Sequence, residues 1–381
     1  MNNVPELRFP EFEGEWENNN LGSLCEIKTG NKDTKNKEEN GIYPFFIRSQ
    51  QIEKINSYSY DGEAILTAGD GVGVGKVFHY INGKFDYHQR VYMLSHFTNC
   101  NGKFIFYYFK ENFIREAMKY NAKTSVDSVR RDMIYSMNIP LPTLQEQSKI
   151  ANFFSLIDQK IEKQQEKVEG LEEWKKGLMQ KIFNQDIRFK DDDGKEFPEW
   201  ERIFIKEVGE VKTGKTPPTI NKAYFNGQFM FVTPTDIKSK FTRRTDRKLS
   251  EEGLKKSSRV PANSLLVTCI ASIGKNTIVK EVCSCNQQIN YIVPFKSFDV
   301  EFLYYRISYD IPKIKGLAGD SATAIINKST FENVKLEVPI INEQIKIGNF
   351  LSKFDQKIEK EKEKLEGLKE MKKGLMQKMF V

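Results

Sequence analysis

Residues 142–183 of this 381-residue chain lie on residues 339–380 without a gap, and 28 of the 42 aligned positions are identical. A repeat of that length bounds the fold before anything else does, because both copies must solve the same packing problem. The matches include Glu146-Gln147 on Glu343-Gln344, Asp158-Gln-Lys-Ile-Glu-Lys163 on Asp355-Gln-Lys-Ile-Glu-Lys360, and Lys175-Lys-Gly-Leu-Met-Gln-Lys181 on Lys372-Lys-Gly-Leu-Met-Gln-Lys378.

Both copies read as helices with a heptad seam. The first follows Ile150, Phe154, Ile157, Ile161, Gln164, Val168, Leu171, Lys175, Leu178 and Ile182 at 4-3 spacing. The second follows Ile347, Leu351, Phe354, Ile358, Glu361, Leu365, Leu368, Lys372, Leu375 and Met379. About 38 helical residues make a rod roughly 57 Å long. Polar residues interrupt both seams at matching places, Gln164/Glu361 and Lys175/Lys372. The lysines either fix register or snorkel past the seam on their long stems. Each helix is too polar on its outer faces to stand alone, so the two are expected to pair. Connectivity favours an antiparallel pair with one module at each end, in which Ile150 meets Leu375.

The segments before the helices repeat more faintly. Trp16–Gly30 aligns with Trp200–Gly214, and Tyr43–Ile52 sits opposite Gln228–Ile237. Gly75-Lys76 matches Gly274-Lys275, His88-Gln89 matches Asn286-Gln287, and Phe104–Phe109 matches Phe302–Ile307. Short β-rich runs at Tyr43–Ile47, Ala64–Thr67, Val74–Tyr80, Phe229–Thr233, Leu265–Cys269 and Asn290–Pro294 are punctuated by Gly, Pro and Asn. One helical stretch follows in each, Phe104–Lys119 and Phe302–Ile311, so the modules are α+β.

The net charge of +7 is unevenly placed: residues 1–144 carry 17 Lys+Arg and 18 Asp+Glu, whereas residues 185–338 carry 25 and 20. Lys238–Arg259 holds nine bases against Asp246, Glu251 and Glu252. Such a cluster suits a polyanion or a solvated loop. No apolar run approaches a membrane span, and the start lacks a secretory pattern. Five cysteines at irregular spacing imply neither a disulfide framework nor a zinc site. A reduced, cytoplasmic protein is expected.

Signs of catalysis are weak. Gly69–Lys76 is glycine-rich but has Asp70 for the first Gly of a phosphate-binding loop and Val77 for its hydroxyl, so a turn between strands is the simpler reading. His79, His88 and His96 all lie in the first module, which excludes a repeated metal or triad site. Asp236-Ile-Lys238 matches half of a nuclease pattern, as do Glu26-Ile-Lys28, Asp158-Gln-Lys160 and Glu210-Val-Lys212, so the match carries no information. The chain is expected to catalyse nothing by itself and to bind no metal.

Two diverged modules, each followed by a preserved helix that opens Pro-x-x-x-Glu-Gln and continues Ile-Asp-Gln-Lys-Ile or Phe-Asp-Gln-Lys-Ile, resemble the specificity subunit of type I restriction-modification systems. Thr233-Pro-Thr-Asp-Ile237 and the stretch from Ser272-Ile-Gly-Lys275 to Asn286-Gln287 are similar to segments of that family's target recognition domains, while His88-Gln89 departs from the more usual Asn-Gln. The resemblance implies an α+β fold with two target recognition domains in pseudo-two-fold arrangement, separated by two long antiparallel coiled-coil helices. Domains would fall at 1–144, 145–184, 185–341 and 342–381. Each recognition domain would read half of a bipartite double-stranded DNA target. The helices would set the spacer and dock two methyltransferase subunits, with restriction subunits supplying translocation and cleavage. S-adenosylmethionine, ATP and Mg would belong to those partners, leaving no cofactor in this chain.

On that footing, Lys76, Arg131, Lys238, Lys240, Arg243, Arg244, Lys275 and Lys328 are expected phosphate contacts. Arg48, Ser49, Gln50, Gln89, Thr233, Thr235, Asp236, Gln287 and Gln288 carry groups suited to base edges, and each has a structural alternative. Two other classes stay open at this stage. A stand-alone DNA-binding regulator would bind tightly without a methyltransferase, and a protein scaffold with a coiled-coil spacer would show no salt-dependent DNA affinity.

Overall fold

The computed structural model describes residues 3–119, 128–318 and 325–381. It divides into two compact units, Met1–Glu166 with Glu363–Val381, and Lys167–Lys362. Both long helices are continuous, Leu144–Phe183 and Ile341–Met379, so each contributes one part to each unit.

In the first unit a six-stranded sheet runs in the order Glu26–Thr29, Val91–Ser95, Tyr60–Ala68, Phe78–Tyr87, Tyr43–Phe46, Glu53–Ile55. All neighbours are antiparallel except Tyr43–Phe46, which runs parallel to Phe78–Tyr87. Period-two alternation splits the Tyr60–Ala68 strand between two cores. Ile65 joins Ile27 and Leu94 against the Gly102–Met118 helix, whose Phe104, Phe109 and Phe113 face the sheet. Ala64 and Leu66 face the other way, toward Phe46, Phe85 and Met93.

The second unit repeats this plan with a break. Gly209–Thr213, Ile289–Pro294, Ser264–Thr268 and Asn276–Val279 form one sheet, and Lys248–Leu249, Phe225–Val232 and Ser284–Cys285 form another. The strand that is continuous over Phe78–Tyr87 in the first unit is thus two pieces here. The helix Val300–Lys315 covers the first sheet with Phe302, Leu303 and Ile307. It runs one turn beyond the Ile311 boundary expected from sequence, carrying Pro312 inside. The expected strand at Val74–Tyr80 also differs. Val74–Val77 belong to a turn, and the strand starts at Phe78. Gly75 takes φ +67° there and Gly274 takes φ +90° in the second unit, each with a helix isoleucine (Ile114, Ile311) filling the space a Cβ would need. Only glycine suits that position.

The helix repeat is explained inside each unit. In the first, the start of one long helix packs on the end of the other: Ile150, Phe154 and Ile157 share a core with Met376, Met379 and Phe380, and Leu375 packs against it. In the second, Trp174 meets Phe354 edge-on at 5.1 Å. Both contacts require antiparallel helices. None of the seam side chains is exposed: Ile161, Leu178, Phe354, Leu368 and Leu375 are half-buried, and Val168, Leu171, Ile347, Leu351, Ile358 and Leu365 are buried.

The seam lysines pair rather than snorkel. Lys372 Nζ lies 2.5 Å from Asp158 Oδ1, and Lys175 Nζ lies 2.5 Å from Asp355 Oδ1. Tyr107 donates to Asp158 at 2.8 Å, Tyr305 donates to Asp355, and each lysine sits over the ring of its tyrosine. The Asp-Gln-Lys motif of one copy is therefore the partner of the Lys-Lys-Gly motif of the other.

The Glu-Gln motif is buried as well. Arg8 reaches Glu146 with two bonds of 2.8 Å, and Arg188 reaches Glu343 with bonds of 3.0 and 2.9 Å. Gln147 donates to the Pro142 carbonyl and accepts from the Asn101 amide, and Gln344 does the same with Pro339 and Asp299. Asn101 and Asp299 cap the module helices, so each glutamine ties a long helix to the helix of its own module.

Candidate nucleic-acid interface

In each unit three loops converge at one end of the sheet. In the first they follow Tyr43–Phe46, follow Tyr60–Ala68, and precede Val91–Ser95. Gly69 N donates to Arg90 O at 2.8 Å, and His79 Nε2 meets the Ser49 carbonyl at 3.1 Å. In the second they are Thr233–Asp236, Ile270–Lys275 and Asn286–Gln288, drawn together by Asn286 N to Val232 O at 3.1 Å and Cys269 N to Gln288 O at 2.8 Å. Glycine enforces the approach of a fourth segment: a Cβ at Gly30 or Gly214 would lie 2.1 Å from the carbonyl oxygen of Tyr87 or Asn286.

The second unit's loops enclose an open cavity of about 470 Å³, lined by Thr233, Pro234, Thr235, Asp236, Asp246, Arg247, Ile270, Ala271, Ser272, Asn286 and Gln288. Its rim is set by hydrogen bonds. Asp236 accepts from Thr233 N and Oγ1 at 2.8 and 2.6 Å and from Asp246 N at 3.1 Å, and Thr233 Oγ1 meets Thr235 Oγ1 at 2.9 Å. Asp236 is thus the staple of its loop, with its oxygens engaged. Asn286 Nδ2 donates to Gln288 Oε1 at 2.9 Å, and Gln287, exposed, accepts from Thr216 at 2.7 Å.

The first unit's equivalent surface is charged. Arg48 NH1 lies 2.7 Å from Asp70 Oδ1, and Arg90 Nε lies 3.7 Å from Asp70 Oδ2. Ser49 donates to the Gln51 carbonyl, Gln50 is exposed, and Gln89 reaches Asp33 at 3.5 Å. Val72, at the tip of the Gly71–Gly73 turn, is 92% exposed. Burial holds His79 and His88 below the ordinary histidine value, with Arg48 adding to the effect on His88. Neither contributes a full positive charge at neutral pH.

The basic residues separate into two kinds. Lys76, Lys238, Arg243, Arg244 and Lys275 are exposed. Arg131 and Lys328 are exposed at the first positions of two equivalent short helices, Arg131–Tyr135 and Lys328–Glu332, with Lys328 paired to Glu332 at 3.2 Å. Lys240 is different. It is 8% exposed, and its Nζ contacts Glu301 at 2.6 Å, Ser352 at 2.8 Å and Tyr305 at 3.0 Å. Its donors are spent inside the unit, which removes the physical ground for a phosphate contact. Sequence reasoning gave no site role to Asp70 or Arg90, counted Arg247 only within the basic cluster, and met Asn286 only as part of a matched segment. Asp70 was weighed only as a misfit in a phosphate-loop pattern, and Ala271 gave no hint of its positive φ of 60°.

Comparison with known proteins places this architecture. The family described as Type I restriction modification DNA specificity domain matches residues 13–173 and 198–370, one match for each repeat. The chain belongs to that family. It is 32% identical over 207 residues to the type I restriction enzyme MjaIX specificity subunit of Methanocaldococcus jannaschii, covering 52% of this chain and 48% of that protein. The chain thus spans about half the length of that relative. A second subunit from the same organism, MjaVIII, is 24% identical and aligned over 97% of this chain and 92% of its own length. A crystal structure of the S subunit of a type I restriction-modification system from M. genitalium has the same fold, with a TM-score of 0.65, 17% identity, and 99% of both chains covered. Among the described residues no helix is long and apolar enough to cross a membrane.

Proposed function

We propose that this chain is the non-catalytic specificity subunit of a type I restriction-modification complex. Each specificity domain reads one half of a bipartite duplex target through its converging loops, and the long helices set the spacer. The observation that carries this reading is the contrast within the repeat. Three loops occupy equivalent places in both units, and their shared backbone bonds (His88 N to Phe46 O and Asn286 N to Val232 O; Gly69 N to Arg90 O and Cys269 N to Gln288 O) set Arg48, Asp70 and Arg90 in one against Pro234, Ile270 and Gln288 in the other. Two readers of different sequences on one scaffold would diverge there while keeping the polar locks of the interlocked helices.

Exposed Lys76, Arg131, Lys238, Arg243, Arg244, Lys275 and Lys328 supply phosphate contacts, which position the protein without specifying sequence. Arg48, Ser49, Gln50, Gln89, Thr233, Thr235, Gln287 and Gln288 supply base-edge groups, while Asp236 orders the loop that carries two of them. Two methyltransferase subunits dock along the repeated helices, which keep 28 of 42 positions between the copies. Restriction subunits join that assembly. S-adenosylmethionine, ATP and Mg are held by the partners.

The test is a mobility-shift series at two salt concentrations, with and without the methyltransferase, followed by mapping of N6-methyladenine in exposed DNA. Salt-dependent binding that gains affinity and a split methylated sequence only with the partner is the expected result. Tight sequence-specific binding by the chain alone would make it a regulator instead, and no DNA binding would make it a scaffold.

A further inference from the structure

We propose that Arg48, held by Asp70, reads a guanine, so that the half-site of the first unit contains one obligatory G·C pair; this rests on the DNA-reading function above. Three largely buried arginine–carboxylate pairs show what a structural pair looks like, whereas Arg259–Glu251 at 3.9 Å is a loose pair exposed on both sides. Arg8–Glu146, Arg188–Glu343 and Arg306–Asp310 each use two guanidinium nitrogens on two carboxylate oxygens, and their side chains are at most 16% exposed. Arg48 makes one contact, through NH1, and its side chain is 44% exposed. Among the described residues its other donors have no hydrogen-bond partner. It is oriented and still unsatisfied.

The carboxylate also decides what Arg48 is suited to. Asp70 is 26% exposed and shared with Arg90. A phosphate approaching Arg48 meets that negative charge, and like charges at close range disfavour the contact. Guanine presents two uncharged acceptors, O6 and N7, in the major groove, which the arginine fork matches. The carboxylate is itself matched to the N4 amino group of the paired cytosine. Holding the side chain beforehand reduces the rotamer freedom lost on binding.

The second unit supports the assignment by contrast. By the backbone bonds the two units share, Arg48, Asp70 and Arg90 take the places of Pro234, Ile270 and Gln288, so at these three positions both guanidiniums and the carboxylate are exchanged for neutral groups. Exposed Arg243 and Arg244, which have no carboxylate partner among the described residues, behave as phosphate contacts by the same argument.

The experiment methylates a plasmid library with the complete chain and its methyltransferase and maps N6-methyladenine. The wild type should give a bipartite sequence with an invariant guanine in one half. With Arg48→Ala, discrimination at that position should fall roughly 10- to 100-fold while the other half is unchanged. Arg48→Gln should move the preference toward adenine, and Asp70→Asn should weaken the same position. If both Arg48 variants keep every position of the sequence and only the overall level of methylation drops, Arg48 is a phosphate contact and the proposal is wrong. A wild type that methylates no bipartite sequence would defeat the DNA-reading function itself, a separate failure.

Discussion

The two units share a skeleton and differ where the three loops meet. In the first Arg48, Asp70 and Arg90 meet there; in the second an open cavity is lined by hydroxyls, amides, Arg247 and the carboxylates of Asp236 and Asp246. The continuous Phe78–Tyr87 strand of one is the broken Asn276–Val279 and Ser284–Cys285 pair of the other. Underneath, the locks pair matching residues in each unit: Arg8–Glu146 and Arg188–Glu343, Asp158–Lys372 and Asp355–Lys175. Sheets and helices that must dock on a fixed partner keep their buried polar pairs, because each deleted partner leaves a charge unpaired. Loops that end in solvent carry no such constraint.

The locks are the place where the comparison breaks hardest. Glu343→Ala should cost about 1.5–3 kcal/mol, since Arg188 loses a charge-assisted pair and keeps only the Phe197 and Pro198 carbonyls and a loose contact with Glu199, and thermal melting would measure it. Glu146→Ala should cost somewhat less, because Trp200 Nε1 also donates to Glu343 at 3.2 Å whereas Trp16 Nε1, equally placed in sequence, is buried with no partner among the described residues. Equal losses would mean that the indole bond contributes nothing.

Next in size is the charge asymmetry. Arg243→Ala with Arg244→Ala should weaken DNA binding by roughly tenfold at low salt and lower the magnitude of the salt slope by about 2, uniformly across sequences. A changed methylated sequence at unchanged affinity would make them readers. The seam is expected to yield less. A double-mutant cycle on Asp158 and Lys372 should give a coupling of about 0.5–1 kcal/mol, discounted because Asp158 is 41% exposed, and the Asp355–Lys175 cycle should give a similar value. Absence of coupling in both would remove the register role of the lysines.

The smallest effect is a pH difference. All three histidines are in the first unit, and His79 and His88 have lowered pKa values in the fold. Their stabilising contribution is complete above the ordinary histidine value of about 6.5 and is lost as pH falls through the lower folded values. Hydrogen exchange at pH 7.5 and 5.5 should therefore show a loss of protection around Phe46, His79 and Val91 that the second unit's sheet does not share.

The division between what was legible and what was not follows the range of the interactions. The helix repeat, its heptad seam, the α+β modules and the exposed basic cluster are set by local periodicity and composition, so reading residues 142–183 against 339–380 was enough. Direction of the pair also followed, from connectivity. What residues in contact do with their polar groups was not legible. Lys175 and Lys372 could fix register or snorkel until Asp355 and Asp158 were seen opposite them. Lys240 belonged to a basic cluster by sequence and to a buried network with Glu301, Tyr305 and Ser352 by structure. The Glu-Gln motif read as a signature, yet its glutamates are neutralised by arginines 138 and 155 residues away. Asp70 likewise became meaningful only with Arg48 beside it, 22 residues distant in sequence. Periodicity records which face of an element is apolar; it holds no record of which distant charge comes to meet a polar side chain, and that pairing separates a phosphate contact from a lock or a reader.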